Sequence, residues 1–168
     1  MKTYNDIGIV SHDAGGANII LNFLIFEKIN FNIFCKGPAK TIFKSYFKNF
    51  ENMSLKDVVN KSSIIITGSS IKSNLELSAI SMAKSKKKYC ITFLESWGNF
   101  KKKFTRNNNL ILPDEFWVSN KKEYELLRQE IPNIKCIIKP NYQLNILKKE
   151  IKLYIKNHIV KKNILYIC

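Results

Sequence analysis

Short apolar runs rich in β-branched residues recur along the chain, and longer segments with apolar residues at helical spacing lie between them. The runs are apolar at nearly every position, as expected of strands that are covered on both faces. Strands that alternate with helices of about 10 to 15 residues are joined by right-handed crossovers and form a parallel sheet. The pattern therefore predicts an α/β fold.

The predicted strands cover residues 7–10, 31–35, 63–67, 89–94, 116–118 and 135–138. The predicted helices cover residues 17–29, 40–50, 54–59, a segment that begins near Ser73 or Asn74, and residues 121–130. A basic, asparagine-rich loop is expected over residues 101–109. Helices on both sides of such a sheet make three layers, so the fold class is a three-layer, Rossmann-like parallel sheet.

A chain of 168 residues with 45% apolar residues can bury the core of one domain of ordinary size. We assign residues 1–143 to the Rossmann-like domain. Residues 144–159 are expected to form a lysine-rich helix, and residues 164–168 are expected to form an apolar strand. That strand is expected either to lead into a second domain, absent from this chain, or to add to the edge of the sheet.

The formal net charge of +15 raises nucleic acid as a partner, because clustered cations release counterions from phosphate. However, Arg106 and Arg128 are the only arginines, and arginine is the residue that bidentate phosphate contacts favour. Lysine-rich solvated surfaces are the preferred explanation, and nucleic acid is not the expected partner.

Four widely spaced cysteines, Cys35, Cys90, Cys136 and Cys168, lie within or at the end of apolar runs, which indicates reduced, buried thiols and a cytoplasmic location. The sequence lacks the closely spaced Cys or His pairs that would predict a metal site, and no cofactor is expected. The sequence has no apolar stretch of about 18 residues, so no membrane span is predicted. The N-terminus does not resemble a secretory signal.

The first candidate site follows the first predicted strand, with the sequence Ser-His-Asp-Ala-Gly-Gly over residues 11–16. Ligands of open parallel sheets bind beyond the carboxyl ends of strands. Gly15 and Gly16, expected just before the helix, would let a ligand approach the backbone. Phosphate is the expected ligand, because the N-terminus of a helix offers free backbone N–H groups to an anion. The run matches neither the dinucleotide fingerprint nor a P-loop. The glycines serve equally well in a tight turn.

His12 and Asp13 form a titratable pair on the same rim, suited to taking a proton from a sugar hydroxyl. Adjacent residues rarely face one site, so one of the two is expected to act as the catalytic base. The alternative is that Asp13 caps the helix and His12 packs beside the strand end.

Two further loops supply candidate ligand contacts. Ser69 and Ser70 follow the third strand and could donate hydroxyls or cap the next helix. Glu95, Trp97 and Asn99 follow the fourth strand and offer a carboxylate, a stacking plane and an amide, although Trp97 could also fill the core. The nearby run of residues 101–103, with Arg106, could attract a phosphorylated ligand but is more typical of a solvated surface.

Three stretches together resemble the N-terminal half of bacterial GT-B glycosyltransferase-like proteins of surface polysaccharide biosynthesis. They are residues 11–18 (SHDAGGAN), residues 94–100 (LESWGNF) with Lys103-Phe104, and residues 112–120 (LPDEFWVSN). In those relatives the second stretch tends to read aspartate, histidine, tryptophan, any residue, asparagine, tyrosine, and then arginine-phenylalanine. This chain departs from that pattern at Glu95, Ser96, Phe100 and Lys103.

The resemblance implies a twin Rossmann architecture, in which the N-terminal domain holds the acceptor and a C-terminal domain holds most of a nucleotide-sugar donor. The missing half would come from a separate domain, and a homo-oligomer is the other expected assembly. By position Asp13 or His12 is the implied base. The predicted substrate contacts are Gly15, Gly16, Asn18, Ser69, Ser70, Glu95, Trp97 and Asn99. A nucleotide-sugar epimerase or hydrolase, and a non-catalytic binding module, are the alternatives.

Overall fold

Parallel strands form the centre of the computed structural model of the chain, which describes residues 6–95 and 98–157. In chain order the strands are β1 (Ile7–Ser11), β2 (Phe31–Cys35), β3 (Ile64–Thr67), β4 (Tyr89–Phe93), β5 (Thr105–Arg106), β6 (Asn109–Leu110), β7 (Glu115–Val118) and β8 (Lys135–Ile138). Six of them pair in a parallel sheet in the order β2-β1-β3-β4-β7-β8, and β5 and β6 form a separate antiparallel hairpin.

Seven helices accompany these strands within the described residues. They are α1 (Ala14–Glu27), α2 (Gly37–Tyr46), α3 (Leu55–Lys61), α4 (Leu75–Ser85), α5 (Phe100–Lys103), α6 (Lys121–Glu130) and α7 (Tyr142–Asn157). Side chains of α1, α2 and α7 belong to the core cluster on one face of the sheet, and those of α3, α4, α5 and α6 to the cluster on the other. The predicted three-layer, Rossmann-like fold is confirmed.

Successive strand residues supply the two cores in turn, as the twofold period of a strand requires. In β3, Ile66 joins the cluster of α1 and Ile65 joins the cluster of α4. In β7, Trp117 points to the first cluster and Phe116 to the second. Both faces of the central strands are therefore apolar, which explains why these runs lack the polar alternation of a half-exposed strand.

The direction of strand addition reverses next to β1. The chain passes from β1 outward to β2 and then returns to β3 on the other side of β1. In open parallel sheets the ligand crevice lies beyond the carboxyl ends of the strands at such a switch point, which here are the ends of β1 and β3. The topology therefore places the most favourable ligand position at residues 12–16 and 68–70.

Several predicted boundaries were wrong. Helix α1 begins at Ala14, three residues earlier than predicted, so Gly15 and Gly16 lie inside its first turn. Helix α2 begins at Gly37 because Pro38 suits the first turn of a helix, and it ends before Phe47. The predicted loop 101–109 contains most of α5 and the β5–β6 hairpin, whose turn places two asparagines at positive φ.

Helix α7 begins at Tyr142, whose ring packs against Phe23 of α1 with a centroid distance of 5.5 Å. The predicted domain boundary at residue 143 falls inside this helix and stays a prediction. The predicted strand 164–168 lies outside the described residues. Within the part of the chain that the structure describes, no helix combines the length and apolar character needed to cross a membrane.

Candidate functional site

Backbone segments from β1, β3 and α1 approach each other closely at the switch point. A Cβ atom added to Gly16 would lie 2.9 Å from the Cα of Gly68, and one added to Gly68 would lie 3.1 Å from Ser11 Oγ. The first turn of α1 therefore packs directly on the loop that follows β3. This contact joins the first two of the sequence-predicted segments.

We predict that Gly16→Ala lowers the free energy of unfolding by about 1 to 3 kcal/mol, because the new methyl group would meet backbone that cannot rotate away. The gain in helix propensity, about 1 kcal/mol, is too small to offset this. Gly15→Ala is the comparison in the same turn and should cost less, since its methyl group would meet the Glu95 side chain rather than backbone. Urea unfolding of both variants tests the prediction, and a Gly16→Ala protein as stable as the parent contradicts it.

Asp13 occupies the N-cap position of α1 but does not cap the helix with its side chain. Its Oδ1 lies 2.7 Å from His12 Nδ1, and about a third of the Asp13 side chain is exposed. Among the described residues, none hydrogen-bonds to Oδ2 of Asp13. The adjacent pair therefore forms one unit, in which the imidazole orients the carboxylate and one carboxylate oxygen stays available.

The Nε2 edge of the His12 imidazole faces the start of α2. A Cβ atom added to Gly37 would lie 2.7 Å from His12 Nε2, so the ring packs against the start of α2. Gly37 has φ +53°, a conformation that also favours glycine. Of the two predicted bases, Asp13 is therefore better placed to meet a ligand, and His12 is better placed to orient Asp13.

Glu76, in the first turn of α4, fixes the backbone of the His12–Asp13 turn. Its Oε1 accepts a hydrogen bond of 2.7 Å from the His12 backbone N–H, while Oε2 is buried with no partner among the described residues. The side chain is only 2% exposed. Burial raises the pKa of Glu76 to about 7, an effect that nearby Asp13 increases and that His12 and backbone hydrogen bonds oppose.

Glu95 follows β4 and belongs to a second polar cluster with Ser69 and Lys103. Ser69 Oγ donates to Glu95 Oε2 at 2.8 Å, and Lys103 Nζ lies 3.1 Å from Ser69 Oγ and 3.4 Å from Glu95 Oε1. Burial raises the pKa of Glu95 above its ordinary value, whereas the charge of Lys103 and the Ser69 hydroxyl pull that pKa down. The cluster brings the third predicted segment to the crevice.

Two carboxylates stand near the N-terminus of α1. A Cβ atom added to Gly15 would lie 2.8 Å from Glu95 Cγ, and Asp13 precedes the first turn. The positive end of the helix dipole therefore already faces negative charge from the protein. The oxygens of these two carboxylates are hydrogen-bond acceptors, so they suit a ligand that donates hydrogen bonds.

The remaining predicted contacts lie at different depths. Ser70 Oγ accepts hydrogen bonds from the backbone N–H groups of Lys72 and Ser73, so its oxygen supports the turn before α4. Asn18 is half-buried on α1, and Asn99 is exposed at the N-cap of α5. Trp97 lies outside the described residues. The assignment of these residues to ligand binding stays a prediction.

The sequence analysis did not identify Glu76 as a site residue, and it predicted that Lys103 is exposed to solvent. Glu76 lies in the first turn after the Asn74 N-cap, where an acidic residue has an ordinary explanation in the helix dipole. Lys103 is 7% exposed, whereas Lys101 and Lys102 are exposed, so the expectation of a wholly solvated run was wrong at its third position. The useful signal was the pair Phe100 and Phe104, whose burial turns the lysine between them inward.

Two other features do not offer comparable chemistry. A cavity of about 570 Å³ lies at the amino end of β2, and Lys48 and Glu51, the charged residues among its lining, are both exposed. At the amino end of β7, the Glu115 carboxylate accepts hydrogen bonds from Trp117 Nε1 and Tyr89 and pairs with Lys135 at 2.7 Å. These bonds satisfy Glu115, so this cluster has a structural explanation.

The chain matches no protein-family model, no curated protein and no solved structure. A functional assignment therefore depends on the geometry and chemistry of the crevice.

Proposed function

We propose that the chain is the acceptor-side domain of a sugar transferase that uses a nucleotide-activated donor in bacterial cell-surface polysaccharide biosynthesis. The observation that carries the proposal is the oriented carboxylate of Asp13 at the rim of the switch-point crevice, with the Glu95 carboxylate near the same helix N-terminus. A crevice lined by carboxylates suits hydroxyl groups better than phosphate. An acceptor sugar is a ligand of that kind.

In the proposed reaction, Asp13 accepts the proton of an acceptor hydroxyl as the hydroxyl oxygen attacks the anomeric carbon of the donor. A bond forms between that carbon and the acceptor oxygen, and the bond to the nucleotide phosphate breaks. The nucleotide leaves with the electron pair. His12 keeps the Asp13 carboxylate oriented through the 2.7 Å contact between Nδ1 and Oδ1.

The resemblance to GT-B glycosyltransferase-like proteins supports this proposal. Two of the four positions at which this chain departs from the resembled pattern, Glu95 and Lys103, contact each other. An acid and a base stand at the two positions where the relatives tend to have aspartate and arginine, so the signs of the two charges are the same. The same resemblance assigns most donor contacts to a second domain.

Calorimetric titration of the full chain tests the acceptor-side assignment. Neutral saccharides are expected to bind, and nucleotide-sugars are expected to show no tight binding. A tight complex with a nucleotide-sugar would contradict the assignment of this domain to the acceptor side. Glu95→Gln, which keeps the side-chain volume and removes the charge, should weaken saccharide binding, and the exposed Glu51→Gln serves as its matched control.

A nucleotide-sugar epimerase or hydrolase is the second candidate, and the observation that favours it is Glu76. A carboxyl group with its pKa raised to about 7 beside the His12–Asp13 turn adds a second titratable group to the site. Liquid chromatography coupled to mass spectrometry of nucleotide-sugars incubated with the chain separates the two candidates, because epimers share one mass but differ in retention time. An isomerised or hydrolysed sugar without an acceptor would support the second candidate, and an unchanged donor agrees with the first.

A further inference from the structure

Lys103 is buried although both preceding lysines of α5 are exposed. Phe100 and Phe104 flank it in the core cluster that covers the α4 face of the sheet. They fix the orientation of this short helix, so Lys103 points inward. Burying an ammonium group carries a large desolvation penalty, and such groups occur where a specific partner needs their charge.

The partner of that charge is Glu95. Lys103 Nζ contacts Oε1 of Glu95 directly and also contacts Ser69 Oγ, which donates to Oε2. The Glu95 side chain is 14% exposed and lies against Gly15 of α1. Each oxygen of the Glu95 carboxylate thus has one partner in the protein, and the side chain lies at the sheet edge that the proposed function uses.

We propose that Lys103 is a positioning residue that holds the Glu95 carboxylate as an anion, so that it accepts hydrogen bonds from a neutral, hydroxyl-bearing sugar. This inference depends on the proposed function for its ligand but not for the Lys103–Glu95 interaction itself. A protonated Glu95 would offer a weaker acceptor, because hydrogen bonds to a charged group are stronger than those between neutral groups.

The charged groups around Glu95 determine how its pKa should respond when Lys103 is replaced. Lys103 of α5 is in direct contact with Glu95, and Gly15 of α1, two residues after Asp13, packs against the Glu95 side chain. Burial raises the pKa of Glu95 and Lys103 lowers it. Removing the lysine charge removes the main opposing effect, so the pKa of Glu95 should rise further.

The test compares Lys103→Met with Lys103→Arg and with Lys102→Met, the exposed neighbour in the same helix. The Glu95 carboxyl carbon is followed by NMR during a pH titration, and its signal is assigned by its loss in Glu95→Gln. Lys103→Met should raise the titration midpoint of Glu95, whereas Lys103→Arg and Lys102→Met should leave it close to that of the parent. An unchanged midpoint in a folded Lys103→Met protein would overturn the inference.

Affinity supplies the second measurement, with glucose, galactose and N-acetylglucosamine as neutral probes and glucose 6-phosphate as the anionic comparison. Lys103→Met should weaken binding of the neutral probes about tenfold below the Glu95 titration midpoint found in that variant, with recovery above the midpoint as Glu95 ionises. Preferred binding of glucose 6-phosphate by the parent chain would overturn the ligand class. If no probe binds but the Glu95 midpoint still moves, the proposed function fails while the role of Lys103 stands.

Should Lys103→Met fail to fold, Ser69→Ala replaces it. That variant removes the hydroxyl that joins Lys103 to Glu95 and adds no bulk. It should raise the Glu95 midpoint by a smaller amount, because the charge of Lys103 stays in place. A midpoint that does not move in Ser69→Ala would count against the inference.

Discussion

Replacing Asp13 with asparagine is expected to lower the rate of sugar transfer by about 10²-fold to 10⁴-fold, the usual contribution of a positioned general base. Asparagine keeps the size of the side chain and can still contact His12 Nδ1, but it cannot accept the proton of an acceptor hydroxyl. The fold should be unaffected, since the Asp13 side chain makes no capping bond to α1. Asp13→Asn therefore removes the proton acceptor without altering the fold.

The assay follows incorporation of labelled sugar into surface glycan in cells whose own gene is replaced by the variant. Asp57→Asn, an exposed change near the start of α3, is the control and should retain full incorporation. His12→Asn should cause a smaller loss than Asp13→Asn, because in the proposed reaction His12 orients the base and does not accept the proton. Full incorporation with Asp13→Asn would exclude Asp13 as the base.

Glu76 is expected to make the chain less stable as the pH rises from about 4.5 to 7. Burial raises its pKa from 4.5 to about 7, so in this range the folded chain retains a proton that the unfolded chain releases. Stability contributed by the protonated form is complete below the unfolded pKa and is lost as the pH rises through the folded pKa. At about 1.4 kcal/mol per pKa unit, the loss approaches roughly 3 kcal/mol.

Glu76→Gln should abolish that loss, because glutamine can accept the His12 N–H bond at every pH. Urea unfolding of both proteins between about pH 5 and pH 8 gives the difference in unfolding free energy directly. The variant should gain stability relative to the parent as the pH rises. Glu51→Gln controls for the removal of a carboxylate from the surface. Parallel stability curves for Glu76→Gln and the parent would contradict the assigned burial and pKa.

The layers and the meeting of the candidate segments at one sheet edge were predictable because they follow from periodicity and topology. Apolar runs such as residues 64–67 and 89–93 have too few polar positions for a half-exposed strand, which indicates a sheet covered on both faces. Once the strands are parallel, their carboxyl ends share one edge. Segments 12–16, 68–70 and the residue after β4, Glu95, then meet without further information.

The start of α1 was not predictable from local preference. Two consecutive glycines disfavour a helix, so the prediction began the helix after them. In the folded chain Gly16 belongs to the first helical turn because the missing side chain lets α1 pack on Gly68. Tertiary packing therefore outweighs the low helix propensity of glycine at this position.

The hydrogen-bond partners of the candidate site residues could not be predicted, because they depend on tertiary packing between segments far apart in the sequence. Glu76 reaches the His12 backbone N–H over 64 residues of sequence, and Lys103 reaches Ser69 over 34. Three successive lysines predict solvent exposure for each of them. The exception at Lys103 arises from the burial of two phenylalanines, a property of the tertiary core rather than of the lysine run.

The most direct test of the central claim, that the switch-point crevice binds a neutral sugar, is an amide NMR titration of the full chain with N-acetylglucosamine. The account predicts saturable shift changes at the backbone amides of residues 12–16 and 68–70 and at Glu95, with none beside the cavity at the amino end of β2. Saturable changes confined to that cavity would contradict the claim. So would the absence of any change at these amides with N-acetylglucosamine, glucose and galactose.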